Sequence, residues 1–145
     1  MLGSIETNKE ITRFMTPIRV VAGALVRDGR LMAAQRGSKM SQGGLWELPG
    51  GKVNPEETDP EALTREWREE LGVEIDVFEC FGCSTYTYPD KVIELVGYRC
   101  AVVSGVPVAL EHDQLRWVSG SELDGLAWAP ADLPLIGLIR TWLSP

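Results

Sequence analysis

The stretch GGKVNPEETDPEALTREWREELGV, residues 50 to 73, organises this chain. It opens with two adjacent glycines and ends in a run that is dense in glutamate. Glu66, Glu69 and Glu70 are spaced i, i+3 and i+4, so a helix would place them on one face. Like charges at that spacing repel by roughly 0.2–0.5 kcal/mol per pair. Because a hard divalent cation or a metal–phosphate complex would neutralise this face, the spacing predicts a carboxylate site for phosphate chemistry.

The same stretch carries the signals of a helix start and a helix end. Residues 58–61, Thr-Asp-Pro-Glu, have the pattern of a capping box, with proline in the first turn where its missing N–H is tolerated. Gly72 is a typical residue just past a helix end, so we predict a helix from about residue 59 to 71. The apolar stripe of this helix, at i, i+4 and i+8, consists of Leu63, Trp67 and Leu71. The glutamates are rotated by roughly 100° from that stripe, so the helix can pack on a sheet while they line its flank.

Size and composition indicate one globular domain. The chain has 145 residues, 44% of them hydrophobic and 24% charged, which is ordinary for a globular protein with a single core. Its formal net charge of −7 argues against stable nucleic-acid binding, which would require a basic face. An anionic small molecule remains compatible with this charge, because Mg²⁺ can bridge carboxylate and phosphate.

The ends of the chain and its cysteines set further expectations. Residues 1–16 are polar and aperiodic, so we expect a flexible tail followed by one domain over residues 17–145. There is no signal-peptide pattern and no long apolar run, so we expect a cytoplasmic protein without a membrane span. The three cysteines are expected to be free thiols, and His112, the only histidine, is expected on the surface.

Strand-like and helix-like segments alternate along the chain. Runs rich in β-branched residues predict strands at 18–26, 31–35, 73–88, 92–103 and 114–118. Asp28-Gly29 predicts a type I′ hairpin turn, and Pro89-Asp90 predicts a second turn. A short helix is predicted from Ser119, and Asp132 is predicted to cap a last helix over residues 133–143. These elements favour an α/β/α sandwich built on a central mixed β-sheet.

The glutamate-rich stretch also fits one longer motif, G-x₅-E-x₇-R-E-U-x-E-E-x-G-U, without a gap. The positions that match are Gly51, Glu57, Arg65, Glu66, Trp67, Glu69, Glu70, Gly72 and Val73. On this motif the chain resembles a Nudix hydrolase. The resemblance is strongest to the MutT-type and CTP pyrophosphohydrolase-like members. It is carried by AQRGSKMSQGGLWELPGGKV before the motif, and by EHDQLRW and WAPADLPLI after it.

The resemblance implies a role for each matching residue in the metal site. It implies that metal ions are held by the carbonyl of Gly50 and by the carboxylates of Glu66, Glu69, Glu70 and Glu111. Glu57 and Arg65 would brace the loop against the helix, and Arg65, four residues before Glu69, can also orient that carboxylate. For the general base, the glutamates at 69 and 66 rank ahead of Glu111.

Four further residues match positions that contact substrate in the family. The resemblance places Arg36, Glu47 and Lys52 near the phosphates and nucleoside, and Asp132 at the edge of the base. A carboxylate at Asp132 would accept a hydrogen bond from an exocyclic amino group, as on cytosine, and would suit guanine O6 poorly.

The expected activity is Mg²⁺-dependent hydrolysis, with Mn²⁺ as an alternative cation, of a nucleoside triphosphate to the monophosphate and pyrophosphate. The substrate would be a pyrimidine, modified or oxidised nucleotide, and the role would be sanitation of the nucleotide pool. Three alternatives stay open: a Nudix hydrolase for ADP-ribose or dinucleoside polyphosphates, a non-catalytic nucleotide-sensing module, and a DNA-repair glycosylase appendage. The expected partner is a small nucleotide, and the chain would be a monomer or a homodimer.

Overall fold

Apolar side chains alternate along the two central strands, and this alternation divides the core between two faces of one sheet. In the computed structural model, which describes residues 15–145, Leu31 and Ala33 face one side while Met32, between them, faces the other. Residues 1–14, most of the predicted tail, lie outside the described residues. The strands are β1 (Ile18–Arg27), β2 (Arg30–Gln35), β3 (Trp46–Glu47), β4 (Gly50–Lys52), β5 (Glu74–Tyr88), β6 (Lys91–Ser104) and β7 (Gln114–Val118). The helices are α1 (Asp59–Leu71), α2 (Leu133–Ile139) and two 3₁₀ segments, Gly120–Gly125 and Arg140–Trp142.

The sheet is mixed. Its strands run in the order β3-β2-β1-β6-β5, with β4 paired to β1 and β7 paired to β2. The pairing of β1 with β6 is parallel, and the other strand pairs are antiparallel. Helix α1 packs on one face and α2 on the other, each over its own cluster of buried side chains. This arrangement confirms the predicted α/β sandwich with a central mixed sheet.

Helix α1 begins and ends where its sequence signals predict. The Glu61 amide donates to Thr58 Oγ1 (3.3 Å) and the Thr58 amide to Glu61 Oε1 (3.0 Å), which completes the capping box. Gly72 ends the helix in the left-handed conformation, with φ of 70°. Trp67 is fully buried, and its indole N–H donates to the carbonyl oxygen of Pro49 (2.9 Å). Helix α1 is therefore tied to the segment that leads into the glycine pair.

Close packing fixes the height of α1 above the sheet. A Cβ atom at Gly23 of β1 would lie 2.7 Å from the Trp67 ring, so only glycine leaves room for the indole. Leu63 and Leu71 lie in the same cluster and are likewise fully buried. The predicted apolar stripe thus docks the helix, and the glutamate flank is left at the edge of the interface.

Three predictions needed correction or extension. The β4 strand was not predicted, because a segment that begins Gly-Gly has little intrinsic strand preference and pairs with β1 only through the tertiary fold. The last helix is shorter than predicted and tightens into a 3₁₀ turn after Ile139. The helix predicted from Ser119 is a 3₁₀ segment. The hairpin at Asp28-Gly29 is confirmed, since both residues have positive φ (53° and 74°).

Two smaller observations complete the fold. All three cysteines are free, as predicted, with Cys80 and Cys83 exposed on β5 and Cys100 buried. Within residues 15–145, no helix is long and apolar enough to cross a membrane.

Candidate active site

The loop before α1 is fastened to the helix by one arginine. Arg65 donates from Nε to Glu57 Oε2 (2.7 Å) and from Nη2 to Glu57 Oε1 (2.9 Å), a bidentate pair. The same guanidinium reaches the Lys52 carbonyl oxygen (3.0 Å) and Glu66 Oε1 (2.8 Å). Arg65, followed by the Asn54 amide, lowers the pKa of Glu57 to about 2. These bonds join the loop to the helix through Glu57 and Arg65, the two residues for which the resemblance implies a bracing role.

The two glycines at the start of the motif lie where side chains cannot fit, for different reasons. A Cβ atom at Gly51 would lie 2.4 Å from the carboxyl carbon of Glu66. A Cβ atom at Gly50 would lie 1.8 Å from the carbonyl oxygen of Val21 on the neighbouring strand. Gly51 therefore makes room for a carboxylate, whereas Gly50 makes room for the β1–β4 backbone pairing.

Glu70 is the most unusual carboxylate of this region. It is only 8% exposed, and its Oε2 accepts no hydrogen bond from any residue in the described part of the chain. Burial first, then contact with Glu66 and the charges of Glu47 and Glu111, raise its pKa to about 10. Two carboxylates that touch must share a proton or a cation between them. Glu70 and Glu66 therefore provide hard, under-satisfied oxygens that suit a divalent cation.

The remaining predicted ligands surround this pair at different depths. Gly50 lines the cavity described below, and Glu111 lies close enough for its charge to act on Glu70. Glu69 is 55% exposed at its side chain and has a 3.5 Å contact with Arg65 Nη1. Among residues 15–145, no three side chains of His, Cys, Asp or Glu form a ready metal-binding group. A cation here would therefore also draw on backbone, phosphate or water oxygens, as Mg²⁺ commonly does.

A cavity of about 280 Å³ leads from the glycine pair and Glu70 into the protein. It passes between β1, the β2–β3 region and the turn between β5 and β6. The four residues predicted to bind substrate all line it: Arg36, Glu47, Lys52 and Asp132. The fold thus brings Asp132 to three side chains that lie at least 80 positions earlier in the sequence.

Asp132 lies in the wall of the cavity and does not cap α2. Within the described residues, its side chain makes no capping hydrogen bond to that helix, so the predicted N-cap role is wrong. Instead Oδ2 accepts from the Leu48 amide (2.8 Å), a buried contact that competes successfully with the cap. Burial and the charge of Glu47 raise the pKa of Asp132 to about 8, against the opposing effects of the Leu48 N–H and Arg36.

The expectation that His112 lies on the surface is wrong. Its side chain is 2% exposed, and Nε2 lies 2.9 Å from Glu47 Oε2 and 4.0 Å from Glu70 Oε2. The position of the histidine directly after Glu111 was the one sequence signal that could have placed it near the site. Burial arises because the loop before β7 folds back onto the end of α1.

Tyr88, which the sequence did not single out, also lines the cavity at the end of β5. Burial, followed by the charge of Asp132, raises the pKa of its phenol. The tyrosine therefore lies beside the Asp132 carboxyl in the cavity wall.

Comparison with known proteins agrees with this geometry. The model of the NUDIX domain family matches residues 17–137. The chain is 41% identical to the CTP pyrophosphohydrolase of Escherichia coli over 122 residues, covering 84% of this chain and 90% of that protein. It is also 41% identical over 126 residues to the putative 8-oxo-dGTP diphosphatase 2 of Mycobacterium tuberculosis, covering 86% and 84% of the two chains.

A solved structure shows the same fold. The solution structure of the E. coli ORF135 protein superimposes with a TM-score of 0.76 at 40% identity, covering 88% of this chain and 91% of that one. The family match spans most of the chain and includes both the loop–helix motif and the cavity wall. The chain belongs to the Nudix hydrolase family, whose members generally use a divalent metal.

Proposed function

We propose that this chain is a Mg²⁺-dependent nucleoside triphosphate pyrophosphohydrolase, which converts a nucleoside triphosphate and water into the monophosphate and pyrophosphate. One observation carries the proposal: a single cavity is lined both by Glu70, the buried neighbour of Glu66, and by the buried Asp132 carboxyl. One end suits a metal-bound polyphosphate, and the other suits the polar edge of a base. The cavity volume of about 280 Å³ lies near the lower end of the range for small-molecule sites.

The proposed metal ligands are Glu66, Glu70 and the Gly50 carbonyl, together with the half-exposed Glu69 and with Glu111, whose charge acts on Glu70. When bound, Mg²⁺ would neutralise the triphosphate charge and lower the pKa of an attacking water. Arg65 holds the Glu66 carboxylate from one side while Gly51 leaves space for it on the other. The chain therefore keeps its acidic groups in position although they repel one another.

We propose Glu69 as the general base, ahead of Glu66 and then Glu111. Glu66 accepts a 2.8 Å hydrogen bond from Arg65 and touches Glu70, so its oxygens are already engaged. Glu69 has a longer 3.5 Å contact with Arg65 and a half-exposed carboxylate. A carboxylate with a free oxygen that faces water is the better acceptor for a proton from the attacking water.

The proposed substrates are pyrimidine or oxidised nucleoside triphosphates, in keeping with the activities named for the relatives, and the proposed role is sanitation of the cytoplasmic nucleotide pool. An ionised Asp132 would accept from the amino group of cytosine. Because the pKa of Asp132 is raised to about 8, the neutral acid is also present near pH 7 and can donate to a carbonyl oxygen. In that neutral form Asp132 would also accommodate guanine O6, and the base that it reads stays a prediction.

A substrate screen tests the proposal. The purified chain with Mg²⁺ is given ordinary and oxidised nucleoside triphosphates, ADP-ribose and diadenosine polyphosphates, and the products are separated by anion-exchange chromatography. We expect pyrophosphate and a nucleoside monophosphate from at least one triphosphate, with little product from the other two classes. Release of orthophosphate, or faster turnover of ADP-ribose, would contradict the proposal.

The position of water attack is tested with H₂¹⁸O. We expect the label in pyrophosphate, because attack at the β-phosphorus breaks the bond to the oxygen that leaves with the monophosphate. Label in the monophosphate would show attack at the α-phosphorus and would overturn this part of the mechanism.

A further inference from the structure

The Glu47 carboxylate is held from two sides. Arg36 Nη1 donates to Glu47 Oε1 (2.9 Å), and His112 Nε2 lies 2.9 Å from Oε2. Arg36 is fixed in turn by a 2.6 Å bond from its Nε to the Ser41 carbonyl oxygen. Because Glu47 belongs to a strand of only two residues, these side-chain bonds contribute much of its orientation.

His112 is itself anchored at both ends of its loop. Two residues before it, the Leu110 amide donates to the carbonyl oxygen of Glu70 (3.1 Å). On the other side, the Asp113 amide donates to the carbonyl oxygen of Gln35 (2.9 Å). The imidazole therefore projects from a fixed backbone into the space between the end of α1 and the end of β2.

The direction of the hydrogen bond follows from its partners. An ionised carboxylate only accepts, so Nε2 of His112 carries the hydrogen and donates it to Glu47. The same ring separates Glu47 from Glu70, whose Oε2 is 4.0 Å from Nε2. Without the imidazole, Glu47 would lose a buried donor and would face another carboxylate at short range. Both changes favour rotation of Glu47 away from its present position.

We propose that His112 is a positioning residue for nucleotide binding, which holds Glu47 and, through Glu47, the Arg36 guanidinium in the cavity wall. The inference rests on the proposed function, because Glu47 and Arg36 line the cavity assigned to the nucleotide. Two of the carboxylates assigned to the metal, Glu66 and Glu69, contact Arg65 and do not depend on His112 for their position. Loss of the imidazole should therefore weaken nucleotide binding much more than it slows the chemical step.

Three variants of His112 separate the hydrogen bond from the bulk of the ring. His112→Leu fills the space without a donor, His112→Gln places an amide donor near the position of Nε2, and His112→Asn places one near Nδ1. We expect His112→Leu and His112→Asn to raise KM for the triphosphate and Kd for the monophosphate product by about tenfold. His112→Gln should stay within about threefold of the wild type, and kcat should change by less than about threefold in all three.

Trp117→Leu is the matched control for loosening of β7. Trp117 lies on that strand, five residues after His112, and packs with the α1-side core away from the cavity. The Trp117→Leu substitution should lower the melting temperature without changing Kd for the monophosphate. The positioning role is wrong if His112→Leu leaves Kd unchanged, or if His112→Gln and His112→Asn have the same Kd.

An NMR experiment tests this inference independently of the proposed function. His112 is the only histidine, so imidazole ¹⁵N and ¹H signals of tag-free protein belong to it alone. We expect hydrogen on Nε2 in the wild type and a clear shift of that resonance in Glu47→Gln. An unchanged imidazole signal would overturn the inference even if triphosphates are hydrolysed. Absence of all triphosphate hydrolysis, with Kd and imidazole signals responding as stated, would overturn the proposed function alone.

Discussion

The cavity has one end at Glu70, proposed to bind the metal (the metal end), and another at Asp132, proposed to bind the base (the base end). The two ends are built in opposite ways. The metal end is local: the residues that brace it, Glu57 and Arg65, are eight positions apart. The base end is assembled from distant segments, and the bond between Leu48 and Asp132 spans 84 positions. In this molecule, residue spacing within one motif positions the carboxylates proposed to bind the metal, whereas strand topology positions the groups proposed to meet the base.

Three carboxylates of this region differ in how their charge is compensated. Glu57 has an arginine partner and a pKa lowered to about 2, whereas Glu70 is buried among other acids and has a pKa raised to about 10. Asp132, at the base end, is buried with a backbone N–H donor and has a pKa raised to about 8. Substitutions that remove charge should therefore act on catalysis at one end and on selectivity at the other.

The largest expected effect is at the metal end. Glu70→Gln removes a proposed ligand while keeping its shape, so kcat should fall by at least about a thousandfold. Because the buried, under-satisfied carboxylate is costly without a cation, the metal-free melting temperature should be unchanged or higher. Steady-state kinetics and thermal unfolding with and without Mg²⁺ measure the two effects. Full activity in this variant would refute the assignment of Glu70.

Substitutions in the glycine pair should give the next largest effect. The two neighbouring positions should differ, since one substitution lowers activity and the other lowers stability. In Gly51→Ala the new methyl group meets the flexible Glu66 side chain, so activity should fall by about a hundredfold with little loss of stability. In Gly50→Ala it meets the Val21 carbonyl oxygen, so the β1–β4 pairing must move and stability should fall by about 1–3 kcal/mol. Urea unfolding and kinetics of both variants test this. Equal stability of the two would contradict the separate roles.

The sequence predicted helix α1 and its two ends well because each signal there is local. Capping residues, the left-handed Gly72 and the apolar stripe specify α1 without reference to the rest of the chain. The β4 strand, by contrast, was not predicted. Its strand character comes from pairing with β1, and no propensity in the segment indicates it.

The base end was predicted only in part, because its contacts depend on the tertiary fold. Asp132 lines the cavity, and its contact with the base stays a prediction, whereas its position before α2 suggested a helix cap that it does not form. The burial of His112 depends on a loop that folds back onto α1 and β2, and a lone histidine in a polar segment carries no sign of this. The sequence did not single out Tyr88 as a cavity residue. The alternation of side chains along a strand does not show which end of the strand meets a cavity.

A smaller effect is expected on substrate choice. Asp132→Asn keeps an acceptor for the Leu48 amide but can no longer change between carboxylate and acid. We expect the ratio of kcat/KM for CTP to that for 8-oxo-dGTP to change by about tenfold, with kcat for the better substrate nearly unchanged. Competition between the two nucleotides in one reaction measures the ratio directly. An unchanged ratio would show that Asp132 does not read the base.

The pH dependence of stability also depends on Asp132. Its folded-state pKa, about 8, lies above the ordinary 3.8, so the folded state favours the neutral acid. Stability from this group is therefore fully present below about pH 4 and is lost as pH rises toward 8, at a rate of at most about 1.4 kcal/mol per pH unit. Asp132→Asn lacks this loss, because its amide does not titrate. The melting temperature of the variant should therefore rise relative to that of the wild type between pH 5 and 8. Above pH 8 the difference between the two should become constant. A constant difference across that range would show that Asp132 is already ionised in the folded protein at pH 5.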